Sequence, residues 1–302
     1  YNTPLLLSVN NGYSSNVEQL LKLDSIDVNM PNKQTGKTPF YISCERSISN
    51  GKIVSLLLND ERTDINCQEK NTKNTALLYC IQNKRDNLVS LILSKDNVDI
   101  NSVDNQNNTA LHHACYSKNE KYIDELINYN PNLIDPNIYN KMGLTPLLIA
   151  ADSKNSELIK CLLKLDSLDV NLAQPRTNET ALYIACKQWN PEIVSILLND
   201  SRTDPNIRTK ASGKTVLMYS LQEYKIDLVH LILNNEKTDI SIVDNNSLNA
   251  LHYACKIGNI DIIDLIISKK KEKDESDLLS FLNAKDKNGL TPFHYACMSN
   301  NK

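Results

Sequence analysis

The side chains in this 302-residue chain best suited to chemistry are its five histidines and eight cysteines. His112 and His113 are adjacent, while His230, His252 and His294 follow at long intervals. Imidazole catalysis or metal binding needs partners that converge: a nucleophile or carboxylate beside the base, or three to four ligands around one ion. The spacing here assembles no such set. The cysteines form no Cys-x-x-Cys pair and no zinc-finger spacing. Cys44, Cys115, Cys186, Cys255 and Cys297 instead recur at one place of a repeated phrase, and Cys80 sits one place earlier. They read as compact apolar core residues. Cys161 falls on an apolar stripe, which leaves Cys67, beside a loop, as the thiol expected to be exposed. Asn107-Asn108-Thr109 and Asn178-Glu179-Thr180 match glycosylation acceptors, but 40 asparagines make such triplets by chance. The expectation is a chain with no catalytic residue, no metal and no cofactor, and not an enzyme.

The phrase that places these residues is Thr-(Pro/Ala)-(Leu/Phe)-x-x-(Ala/Ser/Cys). It starts at Thr3, Thr38, Thr75, Thr109, Thr145, Thr180, Thr215, Asn249 and Thr291. Starts fall about 34 to 37 residues apart, with one wider gap near the end. A fixed period of this size means stacked units, each unable to bury its own faces alone. Thr ahead of an apolar run is a helix N-cap, and Pro fits the first helical position. A turn follows, with Gly12 or Gly258 in two units and mostly polar residues elsewhere. A second apolar stripe at helical spacing comes next, as in Val17, Leu20 and Leu21 or Ile193, Ile196 and Leu197. Most units close on a triplet such as Asp27-Val28-Asn29, Asp64-Ile65-Asn66 or Asp204-Pro205-Asn206, and Asp239-Ile240-Ser241 departs at its last place. A longer repeat overlies the short one: Leu20–Asn29 returns as Leu162–Asn171, and Ile53–Asn66 as Ile193–Asn206. This reads as duplication of a block of four units. Two units are stretched, around Asn130–Ile134 and Lys269–Glu275, and such insertions belong at the edge of a stack.

Thr145-Pro146-Leu147-Leu148-Ile149-Ala150, Thr109-Ala110-Leu111-His112-His113-Ala114 and Thr291-Pro292-Phe293-His294-Tyr295-Ala296 resemble the T-P-L-H-x-A signature of the ankyrin repeat. The resemblance covers the whole chain. It implies an all-α solenoid of helix-turn-helix units joined by short β-hairpin-like loops, forming one repeat domain over residues 1–302. The first phrase begins at Thr3 and the last is followed by only a few residues, so the domain is expected to be a segment of a longer chain. The resemblance also implies that the signature histidine bonds to backbone and Thr between repeats. Asn29, Asn66, Asn101 and Asn171 resemble the closing asparagine that is hydroxylated in some members, although the fold accounts for them without it. Hairpin tips and first helices line a concave face in this family, and that face binds partner proteins.

Lys plus Arg number 33 against 36 Asp plus Glu, a net charge of −3 that leaves no basic footprint for nucleic acid. No apolar stretch is long enough to span a membrane. The expected partner is another protein, with no nucleic acid, membrane or small-molecule substrate. Trp189, the only tryptophan, follows the first helix of the sixth unit, and Tyr224 holds the same register in the seventh. Exposed aromatics are enriched among binding hot spots; the alternative is that each ring covers its turn. Further contact positions follow from the family's variable places: Arg176, Thr177, Lys141 and Met142 in loops, and Lys187, Gln188, Gln222, Glu223 and Ile257 at first-helix ends. The expected function is a non-catalytic protein-interaction module or scaffold. The alternative is a rod-like architectural component of a cytoskeletal or other large assembly. Reduced thiols suit a cytoplasmic location, with association to the cytoskeleton under the second reading.

Overall fold

A computed structural model describes residues 3–46 and 51–299. The described residues hold 18 α-helices and no strand. Eight pairs follow one another: α1 (Pro4–Asn10) and α2 (Ser14–Leu21), α3 (Pro39–Arg46) and α4 (Lys52–Leu58), α5 (Ala76–Gln82) and α6 (Asp86–Ile92), α7 (Ala110–Ser117) and α8 (Glu120–Tyr129), α9 (Pro146–Asp152) and α10 (Ser156–Leu163), α11 (Ala181–Lys187) and α12 (Pro191–Asn199), α13 (Val216–Gln222) and α14 (Ile226–Asn234), α15 (Ala250–Ile257) and α16 (Ile260–Lys273). The wider gap in the period holds the long α16 and an extra helix, α17 (Leu278–Leu282), before α18 (Pro292–Met298).

The repeated phrase builds the first helix of each pair in the way its residue types dictate. Thr3, Thr75, Thr180 and Thr215 have extended backbone, and each side chain accepts the N–H three residues on. The first helices end in a paired-bond C-cap. The N–H of Trp189 donates to the Cys186 carbonyl at 3.1 Å and that of Asn190 to the Ala185 carbonyl at 3.1 Å; Tyr224 and Lys225 repeat this on Leu221 and Ser220 at 3.0 and 2.9 Å. This cap needs one left-handed residue. Glycine supplies it at Gly12 and Gly258, but Lys84, Lys118, Lys154, Trp189 and Tyr224 also adopt φ between 50° and 60°. The turn is therefore not confined to glycine and asparagine, and the helix cap holds side chains in a conformation costing roughly 1–2 kcal/mol each.

A second left-handed residue recurs two places before each phrase from the second onward, in the hairpin-like loop, as at Lys73, Asn107, Asn178 and Gly213. These loops close on themselves through backbone bonds, such as Gln174 N–H to Glu179 O at 2.9 Å with Asn178 N–H to Gln174 O at 2.8 Å, and Thr209 N–H to Lys214 O at 3.0 Å with Gly213 N–H to Thr209 O at 2.9 Å. Neighbouring tips are tied by another, as from Lys210 N–H to Thr177 O and from Asn245 N–H to Ser212 O, both 2.9 Å. At Gly213 a Cβ would meet the Asn245 backbone nitrogen at 2.8 Å, so this close approach also demands glycine.

Contacts group the chain into two compact units, one running up to Ile149 with Lys164–Leu168, the other comprising Ala150–Leu163 and Asp169 onward. The division falls in the fifth repeat, where the duplicated block begins in the sequence. In the first unit α1 packs on α3, α3 on α5 and α5 on α7, with α2 on α4 in the second row. In the second unit α11 packs on α13, α13 on α15 and α15 on α18, with α10 on α12 and α12 on α14 behind them. Leu and Ala of each phrase fill these seams; Ala181, Leu182 and Ala185 are all buried. The duplication is visible in geometry. Tyr41 and Tyr79 meet as a tilted pair with ring centroids 5.4 Å apart in the first unit, and Tyr183 and Tyr219 repeat the pair at 5.1 Å in the second. Arg62 holds Asp60 and the Leu21 and Leu23 carbonyls, and Arg202 likewise holds Asp200 and the Leu163 carbonyl.

The closing asparagines stitch repeats together. Asn66 donates Nδ2 to the Asn97 carbonyl and accepts the Asp99 N–H, both at 2.8 Å, and Asn171 does the same with Arg202 and Asp204. Ser241 ends the series, and there the Lys270 ammonium takes over, reaching Ser241 Oγ at 3.4 Å and Asp277 at 2.7 Å. Two cysteines depart from expectation: Cys67, expected to be exposed, is half-buried, with its thiol donating to Asp64 at 3.2 Å. Cys44, Cys80, Cys115, Cys161, Cys186 and Cys255 are buried, but Cys297 is exposed, because no described helix packs over that side of α18.

Candidate protein-binding surface

The signature histidines are structural fasteners. In His112, Nδ1 accepts the Thr109 N–H at 3.1 Å and lies 2.8 Å from Thr109 Oγ1, while Nε2 reaches the Leu144 carbonyl of the next repeat at 3.0 Å. His252 repeats this with Asn249 and Leu290, and His294 closes the same box with Thr291. Burial pushes His112 down to about 4, so the ring is neutral and Nε2 carries its proton. His113 turns elsewhere, onto the Asp104 carboxylate at 2.9 Å. Among the described residues no three His, Cys, Asp or Glu side chains gather around a common point for a metal ion.

The contact positions expected from sequence fall into two groups. Lys141 and Met142 sit on a hairpin tip of the first unit, where Lys141 N–H donates to Gln106 O at 2.9 Å and the Met142 side chain is 68% exposed. The others lie in successive repeats of the second unit. Arg176 is exposed on its hairpin tip, and Thr177 beside it accepts the Lys210 N–H. Lys187 pairs with Glu179 at 3.0 Å, and Gln188 donates to Asp152 at 2.7 Å. Gln222 accepts from Lys214 and donates to Glu223 at 2.9 Å. Ile257 is half-buried at the end of α15. Trp189 and Tyr224 occupy the left-handed positions one residue past the C-caps of α11 and α13, with 59% and 61% of their surface exposed. More than half of each side chain is open to solvent, and the rest lies against its own turn. The same turns are braced from below: Lys225, buried, donates to the Cys186 and Lys187 carbonyls at 2.8 and 3.1 Å and lies 4.9 Å over the Tyr219 ring.

A cleft of about 190 Å³ in the second unit was missed by sequence reasoning; Lys214, Gln222, Asn246, Tyr253, Lys256 and Tyr295 are among its walls. Behind it Tyr253 donates to Asp244 at 2.7 Å and Tyr295 to Asp286 at 2.8 Å. The signal was present as a tyrosine four places into the phrase with an aspartate nine residues before it. Burial first, then the bonded carboxylate, raises both phenols, Tyr295 to about 12, so they stay protonated.

Comparison with known proteins places this architecture. A family model described as ankyrin repeats (3 copies) matches in overlapping windows, 47–135, 96–173, 131–209, 154–244, 190–277 and 217–302. The crystal structure of EF0377, an ankyrin repeat protein, is similar with a TM-score of 0.56 and 26% identity, covering 68% of this chain and 98% of that one. The ankyrin repeat domain of Bcl-3, a member of the IkappaB protein family, aligns over 88% of this chain and 98% of its own with a TM-score of 0.56; at 19% identity that likeness speaks to fold alone. Among curated proteins, the SMC5-SMC6 complex localization factor protein 1 of Bos taurus is 34% identical over 105 residues, which is 34% of this chain. The match spans only about a tenth of that relative's length. Ankyrin repeats as a class are protein–protein interaction modules and are typically non-catalytic. No helix among the described residues is long and apolar enough to cross a membrane. With phrase, helix pairs, inter-repeat fasteners and family match in agreement, the chain belongs to the ankyrin-repeat family.

Proposed function

We propose that this chain is a non-catalytic binding module that grips a partner protein with the hairpin tips and first-helix ends of its second unit. The observation that carries this reading is the placement of Trp189 and Tyr224. Both are large aromatics, both are more than half exposed, and both stand at the same left-handed turn in consecutive repeats where Gly12 and Gly258 serve elsewhere. A stack that spends stability to display aromatic rings uses them for contact, and a rigid scaffold lowers the ordering cost of that contact. Arg176, Thr177, Lys187, Gln188, Gln222, Glu223 and Ile257 supply its rim, with Lys141 and Met142 a separate contact on the first unit. The similarity to a complex localization factor fits a protein partner. Six buried cysteines held in no disulfide fit a cytoplasmic setting.

The test is a Trp189→Ala variant measured for partner binding and for melting temperature. Partner affinity falls while the melting temperature holds. A lower melting temperature with intact affinity assigns the ring to packing and overturns the reading. Partner exchange separates the module from an architectural rod: a module's partner dissociates and rebinds, whereas a permanent assembly component does not exchange.

A further inference from the structure

We infer that the partner segment held by the second unit is acidic, with a carboxylate side chain seated in the cleft between Lys214 and Lys256. This rests on the binding surface proposed above and adds its chemistry. The chain as a whole carries −3, yet the hairpins of the second unit are cationic. Arg176, Arg208, Lys210, Lys285 and Lys287 are exposed on or beside the tips, and Lys214 is half-buried at the cleft. The carboxylates of the same segments are already engaged. Glu179 is paired with Lys187. Asp244 is buried, its Oδ1 taking the Asn246 and Leu248 N–H groups at 2.8 and 2.9 Å and its Oδ2 the Tyr253 hydroxyl. Asp286 is held in the same way by Asn288, Leu290 and Tyr295. These bonds occupy the oxygens of both buried carboxylates.

The cleft walls suit an anion on a peptide. No acidic residue is among its walls, and two lysines are. Lys214 lies 5.5 Å over the Tyr253 ring and donates to Gln222, so its charge is held in place rather than left free to swing. Asn246 offers an amide, the Gln222 amide is turned onto the exposed Glu223 carboxylate at 2.9 Å, and His252 on the wall is held neutral by burial, so the basic character rests on the lysines. A volume of about 190 Å³ is below the roughly 300–1,000 Å³ usual for small-molecule sites. An aspartate or glutamate side chain on an extended segment matches it, with neighbouring acids meeting Arg208, Lys210 and Lys287. A nucleic acid is the less favoured polyanion, because its long charged backbone would also meet the net negative field of the whole chain.

The experiment is fluorescence anisotropy of the intact chain with a labelled peptide of alternating glutamate and serine, beside a glutamine–serine control. The glutamate peptide binds saturably, and added salt weakens it as screening sets in over a Debye length of about 10 Å near 0.1 M. Neutralising the cleft with Lys214→Gln and Lys256→Gln together weakens binding roughly tenfold while the melting curve stays that of the parent; Lys214→Glu with Lys256→Glu removes it. Equal binding of the glutamine peptide, or unchanged affinity in both double variants, overturns the inference. So does a single-stranded oligonucleotide of equal charge that displaces the peptide. If the acidic peptide fails while a native partner still loses affinity to Trp189→Ala, only the acidic chemistry falls. If Trp189→Ala leaves the native partner's affinity unchanged, the surface beneath it falls as well.

Discussion

The backbone N–H of Asp204 donates to the side-chain oxygen of Asn171 at 2.8 Å across the boundary between two repeats. The other end of the same amide donates to the Arg202 carbonyl at 2.8 Å. One side chain therefore satisfies a donor and an acceptor on the neighbouring unit, where the loop has no strand to do so. Asn66 and Asn206 do the same in their own repeats. Asn171→Ala leaves both backbone groups without this partner and is expected to cost about 1–3 kcal/mol. Asn171→Asp keeps the acceptor, loses the donor and costs less at neutral pH. Denaturant midpoints of the three proteins check the order.

His112 makes stability fall in acid. Its ring is neutral and buried, pushed down to about 4 mainly by loss of water, while an unfolded histidine titrates near 6.5. The unfolded chain thus takes up this proton first. The contribution is complete above about pH 6.5, shrinks as pH falls and is gone below about pH 4, amounting to roughly 3 kcal/mol. His112→Leu, which installs the residue type found at the matching Leu148, is expected to flatten this part of the stability curve between those limits. An NMR titration in which the His112 ring protonates near 6.5 in the folded chain would contradict the assignment.

Trp189→Gly separates display from packing by another route. The position has φ of +50°, which glycine adopts without a Cβ penalty of roughly 1–2 kcal/mol. Stability is expected to rise or hold, and partner affinity to fall. Tyr224→Gly behaves in the same direction, as read by thermal melts beside binding titrations.

Gly213→Ala shows the opposite sign. Its φ is +70°, and the added Cβ would stand 2.3 Å from Asn245 Oδ1 and 2.8 Å from the Asn245 backbone nitrogen. The side-chain oxygen can swing away, but the backbone contact belongs to the next hairpin. Destabilisation above the roughly 1–2 kcal/mol of a left-handed alanine is expected. Gly12→Ala, with open space around it, is the control and shows the conformational cost alone.

Thiol reactivity grades the cysteines. Cys297 is exposed and reacts first with an aromatic disulfide reagent in the native chain. Cys67 is slower: partial burial, its bond to Asp64 at 3.2 Å and that carboxylate's charge push it up to about 12. The remaining six react only on unfolding. Fast release from more than two thiols under native conditions would contradict the packing described here.

Much of this architecture can be read from the chain without coordinates. Thr180 before Ala181-Leu182 announces a capped helix, and the 34-to-37-residue recurrence announces the stack, because both are local signals repeated until chance is excluded. The closing triplet is equally visible, although its bonds to the next unit are not, since they join residues about 30 apart in sequence. Trp189 and Tyr224 could be named from register, but their left-handed backbone could not, because lysine holds the same place in three other repeats. The cleft at Lys214 and Lys256 was out of reach. Its walls come from two hairpins and three helices, and only packing brings Tyr253 and Tyr295 behind the two lysines. Cys297 was misjudged because its neighbours in the phrase are buried by a following helix that α18 lacks among the described residues.

The most direct test of the account is hydrogen–deuterium exchange of the chain with and without a native partner. Added protection is expected in the hairpins at 174–179 and 209–214 and at the first-helix ends 187–189 and 222–224. Protection confined to the second helices α12 and α14, with those segments unchanged, would contradict it.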